Sequence, residues 1–339
     1  MPLLQELVLW RVLPDATDTD LGTRVCLPHL RLLFLLNDDK RSLALWSSLV
    51  IPSTCSIRLE LEDFDEQDAS MVYTLLKYHL SGPNGPTYQR VQFGDTEART
   101  HSTHICMHST ATVEDASAAP LVLERRYVST YKIDADPMIS LSVPSGDLGF
   151  LRKVLDLLPR EPIRTITLNE RAPLSAFSFA SLARSLMCRF SQTETIEVQG
   201  LAPDCSSLRG ELAQAAFTFI LDIAPTAQEF AEFGRECYMP RLHTLSVDNI
   251  DLHSESRYTE GRQLHEVLTE AFERRLAVGM PLRTLNIRGD RLQDSWRESW
   301  SSLVGEVFWN GKRAVTSDYD SDSDDGDISS AASEDEEED

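Results

Sequence analysis

A short phrase recurs along the chain and limits the folds that it can adopt. The phrase reads P-x-L-x-x-L-x-Φ, where Φ is aliphatic, and full copies occupy residues 2–9, 28–35 and 240–247. Each copy ends in alternating apolar and polar residues, the pattern of a β-strand with one buried face. Proline suits the start because the first residue of a strand can forgo its ladder hydrogen bond. Shortened or proline-free copies lie at residues 162–168, 194–198 and 281–287.

Amphipathic helices are predicted between these strand phrases. Apolar residues at helical spacing form stripes over residues 72–80, 148–158, 179–190, 264–276 and 296–307. Pro159 ends the second stripe, and Gly279 follows the fourth, where glycine suits the position just after a helix. Strands that alternate with helices over short connections imply parallel strands joined by right-handed crossovers.

The middle of the chain departs from this alternation. Residues 88–93, 104–108 and 138–143 read as strands, and the small, polar residues 111–119 read as a loop instead of a helix. The sheet is therefore expected to turn partly antiparallel here. We expect an insertion or an irregularity of the sheet around residues 82–145, and a further insertion over residues 201–239.

The predicted fold class is α/β: an irregular leucine-rich-repeat-like array of alternating strands and helices, with a mostly parallel, curved sheet. The units are too uneven in length for a regular solenoid, so neighbouring units are expected to bury one another's apolar faces. Both halves share the same strand phrase, which predicts one domain over residues 1–313. Residues 314–339 consist mainly of Ser, Asp, Glu, Gly and Ala, which predicts a disordered acidic tail.

Charge and cysteine usage exclude several classes of protein. The net charge is −22, and twelve acidic residues without any Lys or Arg lie between Asp318 and Asp339, leaving about −10 for the rest. The run Glu273-Arg274-Arg275 is flanked by acids and reads as a solvated helix face, so nucleic acid is not expected as a partner. No apolar run is long enough to cross a bilayer, and the first twenty residues lack the features of a signal peptide. The cysteines form no CxxC pair, which favours free thiols in a reducing compartment, the cytoplasm or the nucleus.

Three segments resemble known kinds of chemical site. Residues 101–108 carry three histidines and a cysteine, of which His104, Cys106 and His108 would share one face of a strand; such a face could hold a transition metal or simply be half-exposed. His265-Glu266 begins like the zinc-protease helix motif, but Thr269 stands where the second histidine must be. Residues 305–313 nearly match a phosphate-binding loop but have one spacer too many. The sequence therefore predicts no catalytic, cofactor-binding or metal-binding residue and no cofactor.

Two further features leave alternatives open. Trp296 and Trp300, four residues apart on one helix, either cap the open end of the repeat core or anchor a partner. Ser317, Ser321 and Ser333 each precede an acidic residue by three positions, a pattern typical of acid-directed kinases; the alternatives are a tail that only confers solubility and a tail that binds basic partners such as histone-like surfaces.

The strand phrases also resemble a known family. Residues 27–33, 49–59 and 239–245, together with the tryptophan-bearing C-terminal helix, are similar to the leucine-rich-repeat region of fungal, mushroom-type F-box proteins. The similarity spans nearly the whole body of the chain. It implies a substrate receptor of an SCF-type, cullin-based ubiquitin ligase. The family's helical F-box, which docks the ligase adaptor, should precede the repeats, and no segment here matches it. The adaptor is therefore expected as a partner only if an F-box lies upstream of Met1.

The resulting functional expectation is a non-enzymatic protein–protein interaction module, in which the sheet face or a loop edge binds an unknown protein. One alternative is a stand-alone repeat scaffold without a ligase link. The other is an enzyme or metal-binding protein that uses residues 101–108.

Overall fold

The computed structural model describes thirteen stretches of the chain and one isolated residue. They are residues 3–10, 24–37, 41–61, 65–81, 85–93, 102–109, 138–144, 148–158, 162–169, 189–200, 217, 239–255, 261–289 and 292–313. The predicted loop over residues 111–119 and the tail 314–339 lie outside the described residues. All but the last two residues of the predicted helix 179–190 do so too, as does nearly all of the predicted insertion 201–239.

The described residues form fourteen strands and five helices. The strands are β1 (Glu6–Trp10), β2 (Val25–Cys26), β3 (Leu32–Asn37), β4 (Leu49–Val50), β5 (Ser56–Leu61), β6 (Arg90–Phe93), β7 (Ser102–His108), β8 (Met138–Pro144), β9 (Thr165–Asn169), β10 (Thr195–Gln199), β11 (Thr244–Asp248), β12 (Thr284–Arg288), β13 (Glu306–Trp309) and β14 (Lys312–Arg313). The helices are α1 (Arg41–Ser48), α2 (Glu66–Leu80), α3 (Leu148–Leu157), α4 (Leu264–Ala277) and α5 (Asp294–Ser301). All six strand phrases end in a strand; helix α1 was not predicted.

One large sheet organises the molecule. Twelve strands lie in the order β1-β3-β5-β8-β7-β6-β9-β10-β11-β12-β13-β14, and β2 pairs with β4 in a separate parallel ribbon. Eight of the eleven neighbouring pairs in the large sheet are parallel. The protein is therefore α/β with a large, mostly parallel sheet.

The middle of the sheet contains a three-strand insertion in the parallel order. After β5 the chain skips two positions, forms β6, and returns through β7 and β8 to the edge of β5. Both β6 and β8 pair with β7 in antiparallel fashion, while β8 is parallel to β5 and β6 is parallel to β9. The antiparallel stretch lies where the sequence predicted an irregularity, between residues 82 and 145.

A repeated hydrogen-bond pattern sets the register between units. In five units the carbonyl of the residue before the strand accepts two successive N–H groups of the neighbouring unit. Gln5 O accepts from Arg31 and Leu32, and His243 O accepts from Arg283 and Thr284. Because β9 to β12 dock in this same way, equivalent residues align across them, as in the row Thr165, Thr195, Thr244 and Thr284.

The core lies on one side of the sheet. Two rows of inward-facing side chains run across the strands at alternate positions, and the helices cover them. One row includes Leu33, Ile57, Ile139, Met107, Val91, Ile166, Ile196, Leu245, Leu285 and Val307. Apolar residues of the five described helices belong to the same buried cluster, so burial of this face stabilises the array as one unit.

The prediction of a helix over residues 296–307 is wrong in its second half. Helix α5 ends at Ser301, and Val307 is a buried residue of β13. The N–H of Gly305 donates to Leu282 O, which starts the next parallel ladder and prevents helix continuation. Asn310 and Gly311 then take positive φ angles of 50° and 80°, the backbone of a tight hairpin turn between β13 and β14.

The prediction of a solvated helix face over Glu273, Arg274 and Arg275 is also wrong at its last residue. The first two are exposed, whereas Arg275 is only 1% exposed. Its guanidinium donates to the carbonyls of Met239, Leu242 and Met280, at 3.2, 3.3 and 3.2 Å. A buried cation therefore satisfies carbonyl groups in the turns that precede β11 and β12.

Candidate functional site

The sheet has a second face, opposite the helices, made of the alternate strand residues. Its central row comprises Val8, Phe34, Arg58, Ser140, Cys106, Gln92, Thr167, Glu197, Ser246, Asn286 and Phe308. Phe34 and Cys106 are buried, yet neither belongs to the core cluster that the described helices cover. The row is mostly polar, so this face is chemically unlike the core face.

The most regular part of the second face spans three parallel strands, and we refer to it as the β10–β12 surface. Its residues are Thr195, Glu197, Gln199, Thr244, Ser246, Asp248, Thr284, Asn286 and Arg288. All are half-buried except the exposed Arg288. Asn286 Nδ2 donates to Ser246 Oγ at 3.1 Å. Parallel ladders keep these residues in register, so their side chains form rows across the three strands.

A long arginine links this surface to the inserted strands. Arg90 on β6 reaches across β9 so that its Nη2 lies 2.6 Å from Glu197 Oε2 on β10. Thr167 on β9 is fully buried, and its hydroxyl donates to the same carboxylate oxygen at 3.0 Å. Arg90 is 5% exposed, and its Nη1 is buried without a hydrogen-bond partner among the described residues. The ion pair orients Glu197 at one margin of the β10–β12 surface.

The N-terminal strands give the second face a different character. The guanidinium carbon of Arg58 lies 5.0 Å from the centre of the Phe34 ring, and Arg58 Nη2 lies 2.6 Å from Glu60 Oε1. Phe34 belongs to β3, whose sequence Leu32–Asn37 is apolar on both faces. The N-terminal part of the second face therefore carries an aromatic–cation contact, whereas the side chains of the β10–β12 surface are all polar or charged.

Charged residues continue the surface at the strand starts. Arg164 Nη1 lies 3.3 Å from Glu194 Oε1, and His243 Nε2 lies 3.8 Å from Glu194 Oε2. The three side chains occupy equivalent positions just before β9, β10 and β11, and each is roughly one-third exposed. They form a polar cluster that includes the Arg164–Glu194 ion pair, next to Thr165, Thr195 and Thr244 in sequence.

Three buried titratable residues lie on the core side, near the start of β5. Burial raises the pKa of the Cys55 thiol to about 12, despite a backbone hydrogen bond that lowers it. Burial lowers the pKa of His79 to about 4, although its ring N–H donates to the Cys55 carbonyl. Burial also raises the pKa of Tyr88 above its ordinary value. A catalytic Cys–His pair needs a thiolate and an imidazolium, and this environment favours the neutral form of both groups.

The histidine-rich segment forms β7, in the middle of the insertion. Its buried residues Ile105 and Met107 face the core, and Cys106 is buried on the second face. His108 is half-buried; His101 and the side chain of His104 lie outside the described residues. Within the described part of the chain there is no group of three His, Cys, Asp or Glu residues that could hold a metal ion.

Helices α4 and α5 enclose a groove of about 670 Å³, lined in part by Arg262, Glu266, Glu270 and Glu273. Arg262 and Arg274 both donate to the Glu270 carboxylate, and these hydrogen bonds lower its pKa. Two of the charged residues that line the groove, Arg262 and Glu270, therefore form an ion pair with each other.

The two tryptophans beneath this groove are structural. Trp296 and Trp300 are 7% and 0% exposed, and the ring of Trp296 stacks on His265 with centroids 4.5 Å apart. Trp300 Nε1 donates to Thr269 Oγ1 at 2.8 Å. Thr269 occupies the position of the second histidine of the protease motif. Here it accepts a hydrogen bond from a buried tryptophan instead of binding a metal ion. This geometry agrees with the capping interpretation of the tryptophans.

The near match to a phosphate loop has no suitable geometry. Residues 305–313 form β13 and the hairpin to β14 instead of a loop that opens a helix. The described residues of this segment contain no helix N-terminus that could stabilise a phosphate.

No family model, curated protein or solved structure matches this chain. None of the described helices has the length and apolar character that a bilayer crossing requires.

No binding residue was predicted from the sequence. The alternation of the strand phrases could have identified some of the residues of the β10–β12 surface. That alternation places Glu197, Ser246 and Asn286 on the non-core side of consecutive strands. It carries no information on the Arg90–Glu197 contact, because β6 and β10 are 107 residues apart at this pair and are separated by β9.

Proposed function

We propose that this protein is a non-enzymatic protein–protein interaction module, built as an irregular leucine-rich-repeat-like array, and that it binds its partner on the β10–β12 surface. The observation that carries the proposal is the contrast between the two faces of one sheet. The core face is packed by helices, whereas the β10–β12 surface presents nine ordered, half-buried or exposed polar residues.

The geometry of this surface suits protein recognition. The backbone ladders fix the positions from which these side chains leave the sheet, so the backbone loses little further conformational freedom on binding. Threonine, serine and asparagine offer hydrogen bonds, while Glu197, Asp248 and Arg288 add charges of both signs. Hydrogen bonds and charge pairs of this kind give specificity to a partner with the complementary pattern.

Charge reversal on this surface tests the proposal against a matched control. Asp248→Lys reverses the charge at the C-terminal end of β11, the central strand of the β10–β12 surface, and Glu273→Lys makes the same change at an exposed position of α4. Wild-type and variant proteins are used as baits in native extract, and enriched proteins are quantified by mass spectrometry. We expect at least one protein to be enriched by the wild type and by Glu273→Lys but lost with Asp248→Lys. Titration calorimetry with the purified partner should show the same order of affinity.

Two outcomes would contradict the assignment. Equal retention of the same partner by Asp248→Lys and Glu273→Lys would place binding elsewhere on the molecule. Enrichment of no protein above a bait that consists of residues 314–339 alone would remove the support for an interaction module. Circular dichroism melting curves of both variants verify that neither outcome reflects unfolding.

The resemblance to fungal F-box proteins narrows the proposal to a substrate-binding arm of an SCF-type ubiquitin ligase. Its specific prediction is that the captured partner becomes ubiquitinated in cells in proportion to the level of this protein, and that Asp248→Lys removes the dependence. A partner whose ubiquitination is unchanged when this protein is absent would favour the stand-alone scaffold instead.

A further inference from the structure

The groove between α4 and α5, which we call the α4–α5 groove, contains a buried donor without a partner. Trp296 is 7% exposed and lines this groove. Its indole Nε1–H has no hydrogen-bond partner among the described residues, whereas Trp300 Nε1–H donates to Thr269 Oγ1. The Trp296 nitrogen is not sealed inside the fold in the way that Arg90 Nη1 is. Because the N–H of a largely buried indole normally finds an acceptor, the groove offers this donor to a ligand.

The acids that line the same groove are only partly neutralised. Arg262 pairs with Glu270. Glu266 is exposed, and the only partner of its carboxylate among the described residues is the backbone N–H of Gln263, 3.0 Å from Oε2. Glu273 is also exposed and has no ion pair with a described residue. One arginine and three glutamates line the groove, so its formal charge is −2 and it favours a cationic ligand.

The donor and the free acids are spaced along α4. The His265 ring stacks on Trp296 with centroids 4.5 Å apart, and Glu266 follows His265 in the helix, so the indole lies beside the turn that carries Glu266. Glu273 lies two turns, or about 10 Å, further along the helix. The two rings offer apolar surface to the aliphatic stem of a lysine or arginine. This arrangement matches a peptide carbonyl next to one cationic side chain, with a second cation further along the peptide.

We propose that the α4–α5 groove is a second binding site, which takes an arginine- or lysine-rich segment of a partner protein. Trp296 Nε1–H donates to a backbone carbonyl of this segment. Glu266 pairs with the side chain of a neighbouring basic residue, and Glu273 pairs with a second basic residue. The groove lies between helices that cover the core face of the sheet, whereas the β10–β12 surface belongs to the opposite face, so the two sites bind independently.

The first test follows the indole N–H signals of ¹⁵N-labelled full-length protein by NMR. The probe is acetyl-Gly-Arg-Gly-Arg-Gly-amide, and its matched control carries citrulline at both arginine positions, which keeps the carbonyls and removes the charges. Trp296→Phe identifies the Trp296 signal by its loss. We expect the arginine peptide to move this signal in a saturable manner, and the citrulline peptide to bind about threefold to tenfold more weakly, as two partly exposed ion pairs predict. No movement of the Trp296 signal at millimolar arginine peptide would overturn the proposal.

Single-charge variants separate the groove from the net negative charge of the chain. Glu266→Gln keeps an acceptor for the Gln263 N–H, and Glu298→Gln removes the same charge from an exposed α5 residue that does not line the groove. By titration calorimetry we expect Glu266→Gln to bind the arginine peptide about twofold to fivefold more weakly, and Glu298→Gln to bind it like the wild type. Equal affinities of the two variants would show that the peptide responds only to overall charge and would refute the site. This comparison decides the matter even if Trp296→Phe does not fold.

Two further variants keep this site distinct from the β10–β12 surface. Asp248→Lys should leave the affinity for the arginine peptide unchanged, whereas Glu273→Lys should lower it severalfold, because only Glu273 lines the groove. In native extract, a partner of the groove is therefore lost with Glu273→Lys and kept with Asp248→Lys, the reverse of a partner on the β10–β12 surface. Loss of peptide binding in Asp248→Lys but not in Glu273→Lys would assign the peptide to the β10–β12 surface and overturn the groove assignment.

Discussion

The buried histidine His79 makes the stability of this protein depend on pH in a predictable direction. Burial at the end of α2 lowers its pKa to about 4, against an ordinary value of 6.5. The unfolded chain therefore binds a proton on this residue between pH 6.5 and 4, whereas the folded chain does not. The contribution of His79 to the free energy of unfolding is complete above pH 6.5 and is lost as the pH falls toward 4. Between pH 7 and pH 5 the loss is about 2 kcal/mol.

The assay is urea unfolding, followed by circular dichroism at pH 7 and at pH 5. Because many carboxylates also affect acid stability, the comparison is with His79→Asn, which cannot titrate but keeps a donor near the Cys55 carbonyl. His29→Asn, at an exposed position, is the control for loss of an imidazole. We expect the wild type to lose about 2 kcal/mol more than His79→Asn over this interval. Equal losses in the wild type and His79→Asn would refute the assignment of a buried, neutral His79.

Three substitutions test other parts of the fold by thermal and urea unfolding. Gly200→Ala would place its Cβ 2.1 Å from the Asn249 carbonyl oxygen, so we expect it to destabilise the protein by at least about 2 kcal/mol. Arg275→Met keeps the apolar stem but removes the donors to three carbonyls, and we expect a cost of about 2–4 kcal/mol; an unchanged midpoint would show that water replaces these bonds. Arg90→Met removes the partner of Glu197, and we expect a loss of about 1–3 kcal/mol that Glu197→Gln reproduces only in part.

Local patterns in the sequence predicted the strands of the parallel array. The phrases at residues 162–168, 194–198, 240–247 and 281–287 each end in a strand, and the helices over residues 148–158 and 264–276 also form. Alternation and helical periodicity are properties of neighbouring residues, so they identify elements of this length. Gly279 lies just beyond α4 with φ at 73°, as its predicted position after the helix requires.

Local sequence patterns also explain why the predicted helix over residues 296–307 was wrong in its second half. Apolar spacing from Trp296 to Val307 predicted one continuous helix, but Asn310-Gly311, a strong hairpin signal, was present only three residues later. The helix pattern and the hairpin pattern compete over the same short stretch. The hydrogen bond from Gly305 N–H to Leu282 O, a tertiary contact, favours the strand and hairpin.

The sequence by itself determined the α/β class, the strands at the six recurring phrases, the helices over residues 148–158 and 264–276, and the location of most of the charge. Only the tertiary structure decided the order β5-β8-β7-β6-β9, the burial of Arg275, and the contact of Arg90 with Glu197. The physical reason is distance along the chain. Periodicity and charge density are set by nearby residues, whereas strand order and buried ion contacts depend on groups that folding brings together from far apart.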